Sequence, residues 1–177
     1  MKKHLIFCVI LSFVLIGCGS IYVSEDYDKK ADFTTYKTYQ YDFDEENPLS
    51  EFDQKRFIKY TDSTLQTKGY SLSDTPEIWV VVGAQEFETQ SRNTLGLGIG
   101  GTGGNVGVGV SGGIPIGGSE LHQNIVVSLV NSTTNATVWE ATSESDLKIK
   151  SNPTQRDAHF KKLVAKIFKN YPPEQKQ

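Results

Sequence analysis

One serine stands in a pattern that hydrolases use for covalent catalysis. The segment Gly109-Val110-Ser111-Gly112-Gly113 matches G-x-S-x-G, and Asp146 and His159 follow it in hydrolase order. That pattern exposes a nucleophile where a strand turns tightly into a helix. The next residues, 114–117, are Ile-Pro-Ile-Gly and do not favour a helix. We therefore assign no catalytic residue and keep a small serine hydrolase using Ser111 as an alternative hypothesis.

Glycine is concentrated in residues 95–119, which hold twelve of the sixteen glycines in the chain. Gly96-x-Gly98-x-x-Gly101 matches the dinucleotide-binding pattern, but that pattern needs a helix directly after it. No helix signal follows, so we predict no cofactor. The segment is expected to be an insertion between two strands, either a loop or a loose β-hairpin. Long glycine-rich strands pair readily with other chains, which makes self-association through this segment an alternative.

The remaining candidate metal ligands show no metal-binding spacing. Asp42 and the acidic residues 44–46 lack the glycine and closing glutamate of a calcium-binding EF-hand loop. His122 and His159 have no second ligand at helical or strand spacing. We expect a solvated acidic loop and no metal site.

The N-terminus carries a clearer chemical signal. Lys2 and Lys3 precede an apolar run over 5–16, which is too short to span a bilayer, because a transmembrane helix needs about 20 apolar residues. This arrangement is typical of a secretory signal. Leu15-Ile16-Gly17-Cys18 resembles the lipobox of bacterial lipoproteins. That resemblance implies a signal peptide over 1–17, cleavage before Cys18, and lipid on the Cys18 sulfur; an ordinary signal or an uncleaved anchor is the alternative.

Lipidation of Cys18 has consequences for location and partners. Two or three acyl chains hold a protein durably on a membrane. The next residue is Gly19 rather than aspartate, which by analogy favours the outer membrane, with the domain facing the periplasm or the outside. Cleavage removes Cys8 and two lysines, so the mature chain has no cysteine for a disulfide and its formal charge falls from -3 to -5. A mildly acidic chain lacks the electrostatic footprint of a nucleic-acid-binding protein.

Apolar periodicity predicts the elements that must position any site. Residues 18–32 are expected to be the lipidated cysteine and a polar tether. The predicted elements are then a strand over 36–43, a helix from Ser50 to about Gly69, a strand over 78–82, strands over 121–129 and 138–149 joined by a turn at 131–135, and a helix from Asn152-Pro153 to Tyr171-Pro172. The order β-α-β-β-β-α predicts an α+β two-layer domain over 33–173, with two helices on one face of a largely antiparallel sheet and a short tail over 174–177.

Three local patterns sharpen that prediction. Ser50-x-x-Asp53 and Thr154-x-x-Asp157 look like the helix starts in which a side chain caps the first turn. The strand over 78–82 is apolar on both faces, so we expect it to be central in the sheet and covered on both sides. The last helix carries an apolar stripe that comprises Phe160, Leu163, Val164, Ile167, Phe168 and Tyr171.

The chain also resembles a known family. Tyr27-Asp28-x-x-Ala31-Asp32-Phe33-x-x-Tyr36-Lys37-Thr38-Tyr39 is similar to the opening of a family of small bacterial lipoproteins classed as a domain of unknown function. Lys68-Gly69-Tyr70, Pro76-Glu77 and Val138-Trp139 continue the similarity, while Tyr41 and the turn at 131–135 depart from it. The resemblance implies the fold and the envelope location and brings no catalytic residues.

Taken together, the sequence predicts a non-enzymatic binding or assembly module at the outer membrane, acting through protein contacts. A hydrolase using Ser111 with His159, or a domain that binds lipid or glycan, are the alternatives.

Overall fold

The computed structural model describes residues 20–43, 47–89, 94–95, 114–115 and 118–174. Cys18, Ser111, most of the glycine-rich segment and the acidic residues 44–46 lie outside these ranges. The strands are β1 (Ile21–Tyr27), β2 (Thr38–Phe43), β3 (Ser71–Leu72), β4 (Ile78–Thr89), β5 (Thr94–Leu95), β6 (Ile114–Pro115), β7 (Glu120–Asn131) and β8 (Thr137–Lys148), and the helices are α1 (Glu51–Thr67) and α2 (Pro153–Ile167).

Six strands form one mixed sheet in the order β1-β8-β7-β4-β2-β3, and β5 pairs with β6 in a separate two-stranded sheet. The pairs β1–β8, β8–β7 and β7–β4 are antiparallel, whereas β2 runs parallel to β4 and to β3. Both helices lie on one face of this sheet. The predicted α+β class with a largely antiparallel sheet is therefore confirmed.

The core lies between the sheet and the two helices. Alternate residues of the long strands are buried because successive side chains in a strand point to opposite faces. The buried strand residues include Ile78, Val80 and Val82 of β4, Ile125, Val127 and Leu129 of β7, and Trp139 and Ala141 of β8. All six residues of the predicted apolar stripe on the last helix are buried against them.

The predicted tether is wrong for residues 21–27, which form β1. This strand pairs along its whole length with β8, from Ile21 opposite Ser145 to Tyr27 opposite Trp139. Ile21, Val23 and Tyr27 point towards the helices, and the charged residues between them hide this alternation in the sequence. Pairing with a strand more than a hundred residues away stabilises a segment that local composition describes as a loop.

The helix ends show which local signals the chain uses. Ser50 caps α1, and Gly69 ends it with a φ of 88°, the left-handed conformation that glycine adopts without strain. Asn152 caps α2 in a reciprocal pair with Gln155, and Pro153 is the first helical residue. The predicted pairing of Thr154 with Asp157 does not form this cap.

The strand β4 is central, as predicted, but the helices cover only one of its faces. Trp79 and Val81 alternate with the buried residues and are half-buried on the opposite face of the sheet. Among the described residues, neither helix is long and apolar enough to cross a membrane.

Candidate functional site

Polar side chains replace apolar ones at one end of the helix-facing side of the sheet. Glu86, Gln123 and Ser145 occupy adjacent positions on β4, β7 and β8, and His159 of α2 lies over them. Gln123 Nε2 donates to Glu86 Oε1 at 2.5 Å, and Gln123 Oε1 lies 3.0 Å from His159 Nε2. Ser145 Oγ lies 3.3 Å from the same nitrogen. This is a connected hydrogen-bond network where the apolar core ends.

The protonation of His159 determines what this network does. Burial, reinforced by the charge of Arg156, lowers the pKa of His159 to about 4, so the imidazole is neutral at neutral pH. Gln123 Oε1 can only accept a hydrogen bond, so His159 Nε2 carries the hydrogen. A protonated Nε2 cannot take the proton of Ser145, and Ser145 is only 2% exposed. The Ser145–His159 contact therefore joins polar groups in the core and is not the contact of a nucleophile with its base.

An ion pair between the two helices lies beside the network. Asp53 of α1 is fully buried and accepts hydrogen bonds from Nε and Nη2 of Arg156 on α2. Arg56 Nη1 donates to Asp53 Oδ1 at 2.6 Å. Burial opposes ionisation of Asp53, but its hydrogen bonds with the arginines and the charge of Arg156 outweigh burial and lower its pKa. This pair joins residues 103 positions apart and fixes α1 to α2.

The opposite face of the sheet is a candidate binding surface, and we call it the open face. Its centre consists of Trp79 and Val81 of β4 and Val126 and Val130 of β7, all half-buried. The register places Trp79 opposite Val130, and Val81 opposite Ser128, so these side chains are neighbours. These side chains form an apolar patch in the middle of the sheet, which Ser128 interrupts on β7.

Acidic side chains surround this patch. Five exposed carboxylates point to the open face from β1, β2 and β8: Asp26, Asp42, Glu140, Glu144 and Asp146. Lys148 of β8 is also exposed on the open face. Six other exposed lysines lie on the helices or just after α2: Lys55, Lys59, Lys161, Lys162, Lys166 and Lys169. The two sides of the domain thus carry opposite charge. An apolar centre with a charged rim is the usual composition of a protein-binding surface.

A cleft of about 570 Å³ lies at the other end of the domain, between the end of β1 and the C-terminal residues. Its lining includes Glu25, Lys68 and Lys169 as well as Tyr27 and Tyr171. Charged groups of both signs line it, so it lacks the predominantly apolar walls of most lipid-binding cavities.

The structure separates the residues that the sequence placed in one hydrolase pattern. Asp146 lies on the open face and accepts from His122 Nδ1 at 2.7 Å, whereas His159 lies on the helix-facing side. Ser111 and Cys18 fall outside the described residues. Within the described ranges, no group of three or more His, Cys, Asp or Glu side chains is arranged to hold a metal ion.

Sequence reasoning missed the polar network and the ion pair. One signal was available, because Gln123 is in phase with the apolar residues of β7 and so had to point into the core. The ion pair left no such signal. Asp53 fits a helix-capping residue, and nothing in the local sequence links it to Arg156, which lies 103 positions away.

The fold and these surfaces define a two-layer α+β domain whose sheet has one open face. The chain belongs to the family described as "Domain of unknown function (DUF4136)", whose model matches residues 23–173. No curated protein sequence is significantly similar to it.

Two solved structures are similar to this chain. A PDZ domain protein from Parabacteroides distasonis ATCC 8503 is 15% identical, with a TM-score of 0.50 over 89% of this chain and 37% of that chain. This chain therefore spans little more than a third of that protein. A PelC dodecamer from Paraburkholderia phytofirmans is 13% identical, with a TM-score of 0.45 over 85% of this chain and 95% of that chain. At 15% identity the likeness to the PDZ domain protein extends to the fold alone.

Proposed function

We propose that this chain is a lipoprotein of the bacterial envelope, held at the outer membrane by lipid on Cys18, and that its domain is a non-enzymatic binding or assembly module. The observation that supports binding is the open face, with its apolar centre and acidic rim. The observation that supports anchoring is the sequence Leu15-Ile16-Gly17-Cys18 after a short apolar run. The described polar network supports a structural role for His159, since its Nε2 carries a hydrogen.

The partner that fits the open face is a protein with basic side chains around an apolar patch. Five carboxylates surround the apolar centre, and opposite charges across an interface speed association and set orientation. Contacts between exposed charges weaken with salt, because the Debye length falls from about 10 Å at 0.1 M to about 3 Å at 1 M. Capture of the partner should therefore weaken as salt is raised.

Two matched substitutions test the binding surface. Val126→Asp places a charge in the apolar centre of the open face, and Ala165→Asp places the same charge on the exposed side of α2. Each variant is pulled down from detergent-solubilised envelope after its folding is checked by circular dichroism. We expect the partner to be lost with Val126→Asp and kept with Ala165→Asp. The proposal is contradicted if the partner is kept with both variants, or if the wild-type protein is always recovered alone.

Anchoring is tested separately. Labelled palmitate should be incorporated into the wild-type chain and not into Cys18→Ala, and only the wild type should fractionate with the outer membrane.

The hydrolase alternative is tested by comparing the wild type with a Ser111→Ala variant. A broad panel of esters should show no turnover that depends on Ser111; activity lost in Ser111→Ala would overturn the non-enzymatic assignment.

A further inference from the structure

One end of the sheet gathers several features, and we call it the insertion end. There β4 ends at Thr89, β7 begins at Glu120 and β8 ends at Lys148, and these three residues lie side by side. The first strand also begins here, because Ile21 pairs with Ser145 near the end of β8. The chain that joins β4 to β7 leaves and returns at this end, and its sequence from Asn93 to Ser119 contains no charged residue.

Three of the five large, exposed apolar side chains among the described residues lie at the insertion end, and a fourth, Phe52, lies in the first turn of α1. Tyr22 is 68% exposed, Phe87 is 52% exposed and Ile149 is 36% exposed. Leu72, also exposed, lies at the opposite end, where β3 pairs with β2 near the start of β4. Carboxylates outnumber lysines at the insertion end: Glu88, Glu120 and Lys148 lie there, Asp146 lies in the row of Phe87, and Glu144 lies opposite Tyr22. The net charge of this end therefore does not select for anionic lipid.

The length of chain before β1 sets how far this end can be from a lipid on Cys18. Only Gly19 and Ser20 separate Cys18 from Ile21. Three residue steps of extended chain span at most about 11 Å. With the acyl chains of Cys18 in the bilayer, the insertion end is the part of the domain held nearest to the lipid headgroups. This placement of the insertion end rests on the proposed lipid anchor.

We propose that the insertion end lies against the phospholipid bilayer, with Tyr22, Phe87 and Ile149 in the headgroup region. Amphipathic surfaces of this kind enter the interface by about 5–10 Å, a depth that the short connection allows. Aromatic rings are favoured at that level of a membrane. The strands then stand on the membrane by their ends, which leaves the open face accessible to a partner beside the anchored domain.

Site-specific fluorescence tests this orientation. Phe87→Cys and Leu72→Cys are each prepared in the full chain, purified in the lipidated form and labelled with a small fluorophore. Labelled protein is reconstituted at low density into phosphatidylethanolamine–phosphatidylglycerol vesicles, and quenching by aqueous iodide is measured. We expect quenching about threefold slower at position 87 than at position 72, because a headgroup-embedded label is screened from water.

The outcomes separate this inference from the proposed function. Mass spectrometry of the purified chain reports whether lipid is present, and a chain without lipid overturns the anchoring itself. Equal quenching at both positions in a lipidated chain overturns the orientation alone. Protection of position 87 that appears only at high protein density indicates contact between copies, and this also overturns membrane contact. Slower quenching at position 87 at every density supports the proposal.

Discussion

Replacing Asp53 by asparagine tests the packing of the two helices. The substitution keeps the size of the side chain and removes its charge. The Asp53 carboxylate is fully buried and accepts hydrogen bonds from Arg156, Arg56 and the hydroxyl of Ser50. In Asp53→Asn two guanidinium groups face a neutral amide. Both arginines lose the partner that offsets their partial burial.

The structure places the expected loss of stability in Asp53→Asn at the lower end of the range for broken buried ion pairs. Removing one partner of a buried ion pair costs about 3–5 kcal/mol, because the other charge stays buried without compensation. The side chains of Arg56 and Arg156 retain 18% and 21% exposure, so water can partly solvate them. We therefore expect the free energy of unfolding to fall by about 3 kcal/mol. With a urea slope of about 2 kcal/mol/M, the midpoint falls by about 1.5 M.

Urea unfolding followed by tryptophan fluorescence measures this shift. Glu51→Gln is the matched control, because Glu51 lies in the same helical turn and forms an exposed ion pair with Lys55. Its midpoint should not change measurably. A midpoint shift for Asp53→Asn below about 0.5 M would refute the idea that this pair fixes α1 to α2. The pKa of Asp53 is lowered in the folded protein, so its stabilising contribution exists above the ordinary aspartate pKa. The difference between wild type and variant should therefore narrow as the pH falls through the lowered pKa.

Three further results are expected. Asn152→Ala should lose about 1 kcal/mol of stability by thermal unfolding, because Asn152 caps α2, whereas Thr154→Ala should not change it; the opposite ranking would contradict the observed cap. In an NMR titration the ring of His159 should titrate with a midpoint near pH 4. The free energy of unfolding should fall as the pH drops from about 6.5 to 4, because the unfolded chain binds the proton more readily than the folded chain in this range. The variant His159→Gln should lack this part of the decline. Amide hydrogen exchange of β1 should be slow at the groups that pair with β8, and exchange as fast as in an unstructured peptide would restore the tether hypothesis.

Local patterns predicted much of the helix-facing core. The stripe on the last helix and the alternation in β7 are set by which residues must avoid water, so periodicity alone located them. Periodicity did not show which face of β4 the helices cover, because residues 78–82 are apolar on both faces. Gly69 ended α1 as expected, because its left-handed φ suits a residue without a side chain. The resemblance to a family of unknown function was also confirmed at the level of the family.

The errors have a common physical cause, which is pairing between residues distant in sequence. The strand β1 is polar at alternate positions and lacks a strong local preference, so its register with β8 decides its structure. Asp157 was assigned to a helix cap, yet its carboxylate accepts from Tyr60 of α1 at 2.5 Å. In both cases a contact with another element outweighed the local signal.

The sequence by itself determined most elements of the core, the position of Cys18 directly after Leu15-Ile16-Gly17, and the uncharged composition of residues 93–119. Each follows from residue types and their periodicity, which need no partner in space. Only the tertiary structure decided that β1 pairs with β8, that Asp146 and His159 lie on opposite sides of β8, and that the start of β1 and the end of β4 lie at the same end of the sheet. These facts depend on strand order and register, which are set by the packing of distant segments and leave no periodic trace along the chain.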